Sequence, residues 1–293
     1  MHLLTLQTAE GLHLGVETPE GIVDLTRLRR PAGVPFAGTP EELCSIGSAA
    51  LSGIEQVVAA DGGDPRVRVP LQQATLGPCV PKPGKIICIA INYRAHADEA
   101  NFEVPKYPVL FAKYGTSINA SGAPIHLLEG AEQFDYEAEL GVVIGRTARS
   151  VSEAEALDYV LGYCNANDVT ARDLQFRTAQ WLLGKTPDGF APVGPYLVTR
   201  DELPEPQNLM VRCWVNGELR QEASTSKMIF GVRKLISYIS HHMTLQPGDL
   251  ILTGTPEGVI LGMDEKKWLK AGDVVEVAVE GLGRLTNTMA PPA

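Results

Sequence analysis

Three carboxylates alternate along Phe134-Asp135-Tyr136-Glu137-Ala138-Glu139-Leu140. Read as a strand, this run sets Asp135, Glu137 and Glu139 on one face and Phe134, Tyr136, Ala138 and Leu140 on the other. Residues two apart on a strand face sit roughly 7 Å apart, so two glutamates can converge on one cation from opposite sides. The plain alternative is a solvated strand face, because three adjacent carboxylates repel unless a cation or water screens them. About thirty residues further on, Asn165-Ala166-Asn167-Asp168-Val169-Thr170-Ala171-Arg172-Asp173 is a second polar segment, in which Asp168 can supply a third oxygen. Carboxylates without His or Cys form a hard donor set, suited to Mg²⁺, Mn²⁺ or Ca²⁺ rather than zinc. Ahead of the strand, Asn92-Tyr93-Arg94-Ala95-His96-Ala97-Asp98-Glu99 spaces a histidine and a glutamate three apart. On one helical turn they share a face, where Glu99 can orient the imidazole and stabilise its charge. Such pairs also decorate solvated surfaces.

These residues need elements to position them, and the chain reads as rich in short strands. Leu3–Leu6, His13–Glu17 and Ile22–Leu25 are separated by turn residues. Lys85–Ala90 and Leu140–Ile144 are apolar runs of strand length. Asp249–Thr253 and Val274–Val279 carry β-branched residues behind Pro-Gly and Ala-Gly turns. Helical signals run from Glu41 to Val58 and through Ile229, Val232, Leu235, Ile236 and Ile239, and a Ser152/Glu155 capping box precedes Ala156–Leu161. Gly77–Lys85 holds three prolines and two glycines and reads as a linker, giving a small N-terminal domain at 1–77 and a main domain at 85–293. The fold class is strand-dominated α+β, not alternating βαβ. Lys85–Leu110 is expected to contain a mobile lid carrying His96 and Glu99, since Asn92–Glu103 is polar and short of apolar anchors.

Composition narrows the function. Twenty-five Lys and Arg against 35 Asp and Glu give a net charge of −10, which disfavours nucleic acid as a partner. No stretch reads as approaching the roughly 20 apolar residues of a membrane helix, and the N-terminus lacks the pattern of a signal peptide. Five scattered cysteines without C-x-x-C argue against a thiolate zinc site and a disulfide framework, and for a reducing cytoplasm. Gly184-Lys185-Thr186 looks like the end of a phosphate loop, but position 179 is Ala where that motif needs Gly. G-x-G-x-x-G after a strand, G-x-S-x-G and H-E-x-x-H are all missing, and His241-His242 reads as a solvated or capping pair.

Taken in order, the segments resemble the fumarylacetoacetate hydrolase family, in particular its acylpyruvase-like branch. The matching blocks are Cys88–Tyr93 with His96 and Glu99; Asp135–Leu140 running into Val142–Gly145; Asn167–Gln175; Gly184–Phe190 with Pro192 and Gly194-Pro195; and Thr253–Val259. They span roughly Lys85 to Asn287. The resemblance implies a mixed β-sandwich roll, usually a homodimer, with a small N-terminal α/β domain. It implies one Mg²⁺ or Mn²⁺ on Glu137, Glu139 and Asp168, with Ca²⁺ as a substitute. It assigns catalytic roles to His96, Glu99 and Lys185, and substrate contacts to Arg172, Gln175, Thr255 and Gly254. The chain departs from the family in Ala90 for Gly, Ala95 for Asp, and Thr186 and Gly189 for Ser and Thr.

The reaction so implied is metal-dependent hydrolysis of a C–C bond in a β-diketo or acylpyruvate-type 2-oxo acid through a metal-bound enolate. Oxaloacetate decarboxylation and 2-oxo acid keto–enol isomerisation are the alternatives from the same site. Retention of every ligand and of the His–Glu pair argues against a non-catalytic member. Removing one ligand, as in Glu137→Ala, is expected to relieve carboxylate repulsion and leave the metal-free fold unharmed.

Overall fold

A computed structural model describes residues 1–293. Strands β1 (His2–Thr8), β2 (Gly11–Thr18) and β3 (Gly21–Asp24) form an antiparallel meander joined by two-residue turns. Helices α1 (Pro40–Ile46) and α2 (Leu51–Asp61) follow; Thr39 caps α1 by accepting from Glu42 N–H, and Pro40 occupies its first turn. The chain then enters β4 (Ile86–Ala90), α3 (Arg94–Glu99) and β5 (Val109–Lys113). Next come β6 (Ala138–Ile144), β7 (Val160–Asn167), the short helices α4 (Arg172–Gln175) and α5 (Leu182–Lys185), and β8 (Ala191–Thr199). The remainder is β9 (Met210–Val215), β10 (Glu218–Ser224), α6 (Val232–His242), β11 (Leu250–Leu252), β12 (Val274–Val279) and β13 (Leu285–Ala290).

One large sheet orders its principal strands β3-β2-β1-β8-β7-β6-β11-β4-β5, all antiparallel except the β11–β4 pair. A second sheet orders β10-β9-β12-β13. β6 is buried at every position and sends successive side chains into different cores: Val142 into the largest apolar cluster, which spans both sheets, and Val143 into a second beneath α1 and α2. In β9 and β12 only alternate residues are buried, as expected of strands with one solvated face. The first three strands are not separate from this frame, since β1 pairs with β8 through Leu3↔Leu197 and its neighbours.

Several local expectations change. The 41–58 helix is two helices, with a 3-10 turn at Gly47–Ala50 between them. Pro40–Asp61 includes an 18-residue window of mean hydropathy 1.4, but the 3-10 turn divides it, and Leu43, Ala50, Ile54 and Val57 are buried in the core beside the sheet. In the Ser152/Glu155 box Ser152 Oγ accepts from Glu155 N–H and donates to Glu155 Oε2, but the carboxylate does not reach back to the Ser152 N–H, and only the 3-10 turn Ala156–Tyr159 follows before β7 begins; sheet pairing overrides the local helix signal. The lid expectation is narrowed too. β4 is wholly buried in the sheet, Tyr93 and Ala97 are 1% and 0% exposed, and Asn92 bonds the backbone of Phe230 and Thr253.

Candidate active site and metal centre

The D-x-E-x-E run does not continue as one strand. Phe134-Asp135 pairs with Thr170-Ala171, the chain breaks step at Tyr136-Glu137, and β6 starts at Ala138. The break separates the three carboxylates by task. Asp135 turns to Arg172, with Nε at 2.9 Å and Nη2 at 2.8 Å, and accepts from the N–H groups of Ile260 and Leu261. Glu137 and Glu139 meet Asp168, which lies just beyond the end of β7; one oxygen from each lies within 4.8 Å of the others, and all three side chains are buried. Asn167 Oδ1 accepts from Glu137 N–H, and Glu137 C=O accepts from Asp168 N–H, so the two ligand segments fix each other.

Buried cations surround this cluster. Lys185 Nζ donates to Glu137 at 2.7 Å and Asp168 at 2.8 Å, Arg172 reaches Glu137 at 2.7 Å, and Lys113 donates to Asp168 and Val169 C=O. Burial alone would raise the Glu137 carboxyl, but Lys185 and then Arg172 outweigh it and hold it down at about 2. Glu139 has no such partner. Burial first, then the charges of Asp168 and Glu137, push its carboxyl well above the usual range, against the 2.7 Å bond from Gly254 N–H. Burial lowers the Lys113 ammonium despite Asp168; for Lys185 and Arg172 burial works the same way, but the facing carboxylates prevail and raise both. A divalent cation fits this donor set. Three inward carboxylates of hard oxygen, one of them too crowded by like charge to ionise easily, are what such an ion stabilises.

A cavity of about 30 Å³ adjoins the cluster. Ile89, Ile91, Phe111 and Trp181 form its apolar wall; His96, Glu137, Arg172, Gln175, Lys185 and Thr255 face it with polar groups. Its volume holds about one water. Ile91 leaves β4 with φ of +54°, a left-handed conformation costly for a β-branched residue, and this turn delivers Asn92 to its three backbone bonds. α3 then presents His96, whose Nδ1 lies 2.9 Å from Glu99 Oε1; with Nδ1–H donating there, Nε2 is the free base. Glu99 Oε2 accepts from Gly258 N–H at 2.8 Å.

The residues singled out by sequence fall in one place, with two differences. Gly254 does not line the cavity, because its N–H is committed to Glu139. Arg172 faces the cavity, but its charge is already shared by Asp135 and Glu137, and Nη1 donates to Gln175 Oε1. Thr255 lines the cavity and accepts from Gln221 Nε2, leaving its own O–H to donate. Sequence reading missed Lys113. The available signal was strand alternation, which puts it on the same face of β5 as the cavity residue Phe111. It missed Gln221 as well, whose amide ties Ala138 N–H to the Thr255-Pro256 turn. His241 and His242 lie at the end of α6 with Nδ1 atoms on backbone carbonyls of Ser237 and Tyr238, away from the site. A larger cavity, about 840 Å³, opens near Met1, Glu17 and Glu20 at the N-terminal strands, and none of the site residues singled out above lines it.

A mixed-sheet roll with three inward carboxylates and a His–Glu pair at one cavity defines a metal-dependent enzyme fold, and comparison with known proteins agrees. Residues 85–290 match the family model described as fumarylacetoacetate (FAA) hydrolase C-terminal. The chain is 46% identical over 210 residues to a mitochondrial oxaloacetate tautomerase of Xenopus laevis (71% of this chain, 66% of the relative). It is 39% identical over 278 residues to the mitochondrial oxaloacetate tautomerase of Rattus norvegicus (94% and 86%). Maleylpyruvate hydrolase from Sphingobium sp. SYK-6, in complex with manganese(II) and pyruvate, superposes with a TM-score of 0.80 at 30% identity over 100% of both chains. The chain belongs to the fumarylacetoacetate hydrolase family.

Proposed function

We propose that this enzyme hydrolyses a C–C bond in a β-diketo, acylpyruvate-type 2-oxo acid. The observation that carries this is the free Nε2 edge of His96 in the same cavity as Glu137 and Lys185. A divalent cation on Glu137, Glu139 and Asp168 supplies Lewis acidity toward the 2-oxo group, and Mg²⁺ or Mn²⁺ is the proposed ion; the manganese in the Sphingobium relative supports that choice. Arg172, Gln175 and Thr255 orient the substrate carboxylate. His96 Nε2 accepts a proton from water as its oxygen attacks the distal carbonyl carbon, while Glu99 balances the imidazolium. The C–C bond then breaks, its electron pair passes to the pyruvate half as an enolate, and that half takes up a proton. Lys185 lends positive charge as this negative charge develops. The products are a 2-oxo acid and a carboxylic acid.

A second reading, keto–enol tautomerisation of an oxaloacetate-type acid, is favoured by the two tautomerase relatives and needs only the proton transfer at His96. Both readings take a small 2-oxo acid, and the buried free cysteines support a cytoplasmic setting. A homodimer is the proposed assembly; Tyr107, Phe176 and Leu183, exposed at 60%, 47% and 54%, supply apolar surface for it. The test is a panel of acylpyruvates, 2,4-diketo sugar acids and oxaloacetate with Mg²⁺ and with Mn²⁺. Release of pyruvate and a carboxylic acid supports hydrolysis. Enol–keto exchange of oxaloacetate without acylpyruvate cleavage supports the second reading, and inactivity across the panel sinks both.

A further inference from the structure

One loop grips three carboxylates that serve three tasks. Gly254 N–H donates to Glu139, Gly258 N–H to Glu99 at 2.8 Å, and Ile260 and Leu261 N–H to Asp135 at 2.9 and 3.0 Å. The tightest approach is at Gly262. A Cβ there would stand 2.6 Å from Glu99 Cδ, 2.7 Å from its Cγ and 2.8 Å from its Oε2. Carbon atoms in ordinary contact are about 3.5–4.0 Å apart, so no side chain fits while Glu99 stays in place. Glu99 is thus held between Gly258 N–H, the bare face of Gly262 and the His96 imidazole, 2.9 Å from Oε1.

We propose that Gly262 is a positioning residue for the acid–base pair: the absence of a side chain there keeps Glu99 against His96 Nδ1 and so aims Nε2 into the cavity. The inference rests on reading His96 and Glu99 as that pair. Gly262 is not among the glycines with left-handed backbone, so alanine brings no backbone strain. What its methyl would meet is the end of a flexible side chain, which can swing away, so the fold survives and the pairing does not. Gly258 cannot serve as the test, because its φ is +98° and a Cβ would lie 2.1 Å from Arg220 C=O.

Wild type, Gly262→Ala, His96→Ala and the double variant are compared with Mn²⁺ on acetylpyruvate cleavage and oxaloacetate decarboxylation, alongside Mn²⁺ titration. Gly262→Ala is expected to lower kcat for cleavage about 10–100-fold, the cost typical of losing an orienting partner, with KM, Mn²⁺ affinity and decarboxylation within about threefold of wild type. The double variant is expected to cleave no more slowly than His96→Ala, because both changes remove one function. Full activity in Gly262→Ala, weakened Mn²⁺ binding, or losses that multiply in the double variant would overturn the proposal. Undiminished cleavage by His96→Ala would instead strike the acid–base reading beneath it. If wild type does not cleave acetylpyruvate, the same cycle is read on oxaloacetate enol–keto exchange, where the same outcomes decide.

Discussion

Two buried histidines of this chain hold a carboxylate at Nδ1, His13 at 9% exposure and His96 at 5%. In the N-terminal meander, His13 Nδ1 lies 3.0 Å from Asp24 and its Nε2 3.3 Å from the Thr8 hydroxyl, so hydroxyl, imidazole and carboxylate stand in line. That order mimics a nucleophile triad. Its groups are nevertheless committed to structure. Thr8 O–H donates to Gly11 C=O across the turn, and Asp24 accepts from Thr26 N–H and O–H and pairs with Arg27. His96 differs in what its far nitrogen faces: a cavity shared with Glu137, Arg172 and Lys185. A carboxylate partner is therefore no mark of catalysis. A free nitrogen on a cavity beside compensated charges is.

The largest effect expected is from Glu137→Ala, which should abolish cation-dependent turnover. Sequence alone argues that losing a ligand relieves repulsion, but the structure reverses this for Glu137, the ligand that Arg172 and Lys185 both contact. Removing it under-compensates two buried cations, and urea unfolding should show a loss of about 3–5 kcal/mol. Next comes the direct contrast between the histidines. His96→Ala should lower kcat by about 10²–10⁴ with little change in stability, as expected for a general base. His13→Ala should keep wild-type kcat and lose about 1–2 kcal/mol of stability through its hydrogen bonds. A folded but inactive His13→Ala enzyme would break the comparison. Lys185→Ala sharpens it from the other side: cleavage and decarboxylation should fall together, since both build negative charge next to that ammonium.

Much of the site was legible because its chemistry is local in sequence. The E-x-E alternation, the i, i+3 His–Glu pair and the strand runs at 86–90 and 140–144 each follow from a periodicity within one element. The role of Asp135 was not legible, because a break at Tyr136-Glu137 that only the Phe134–Ala171 pairing reveals turns it from the cation site to Arg172. Lys113 and Gly262 were hidden for the same reason. Their partners, Asp168 and Glu99, lie 55 and more than 150 residues away; alternation sets Lys113 on one face of β5 with Phe111, but nothing local shows that this face meets Asp168 or that the 254–262 loop meets Glu99. The helix expected at 156–161 failed where strand pairing with β6 and β8 outweighed a half-formed capping box.

The smallest effect tests the charge balance that sets the carboxylate cluster apart from the His13 site. Glu139 is raised by burial and by Asp168 and Glu137, so the folded, cation-free protein keeps that proton at pH values where the unfolded chain, releasing it near 4.3, has lost it. In that window the folded state binds more protons, and stability must fall as pH rises. Glu137 works in the opposite sense: held down at about 2, its contribution is complete above the unfolded carboxylate range and fades only as pH drops toward 2. With chelator present, the unfolding midpoint should therefore decline as pH rises above about 5, a slope that Glu139→Gln flattens because the amide never ionises. Excess Mg²⁺ should flatten it in wild type as well, adding about 2.7 kcal/mol at a hundred times Kd. Glu139→Gln should show no such gain, having lost a ligand while keeping both cation pairs of Glu137 intact. An unchanged slope in chelator-treated Glu139→Gln would place the retained proton elsewhere in the cluster and remove Glu139 as the carboxylate that most needs the cation.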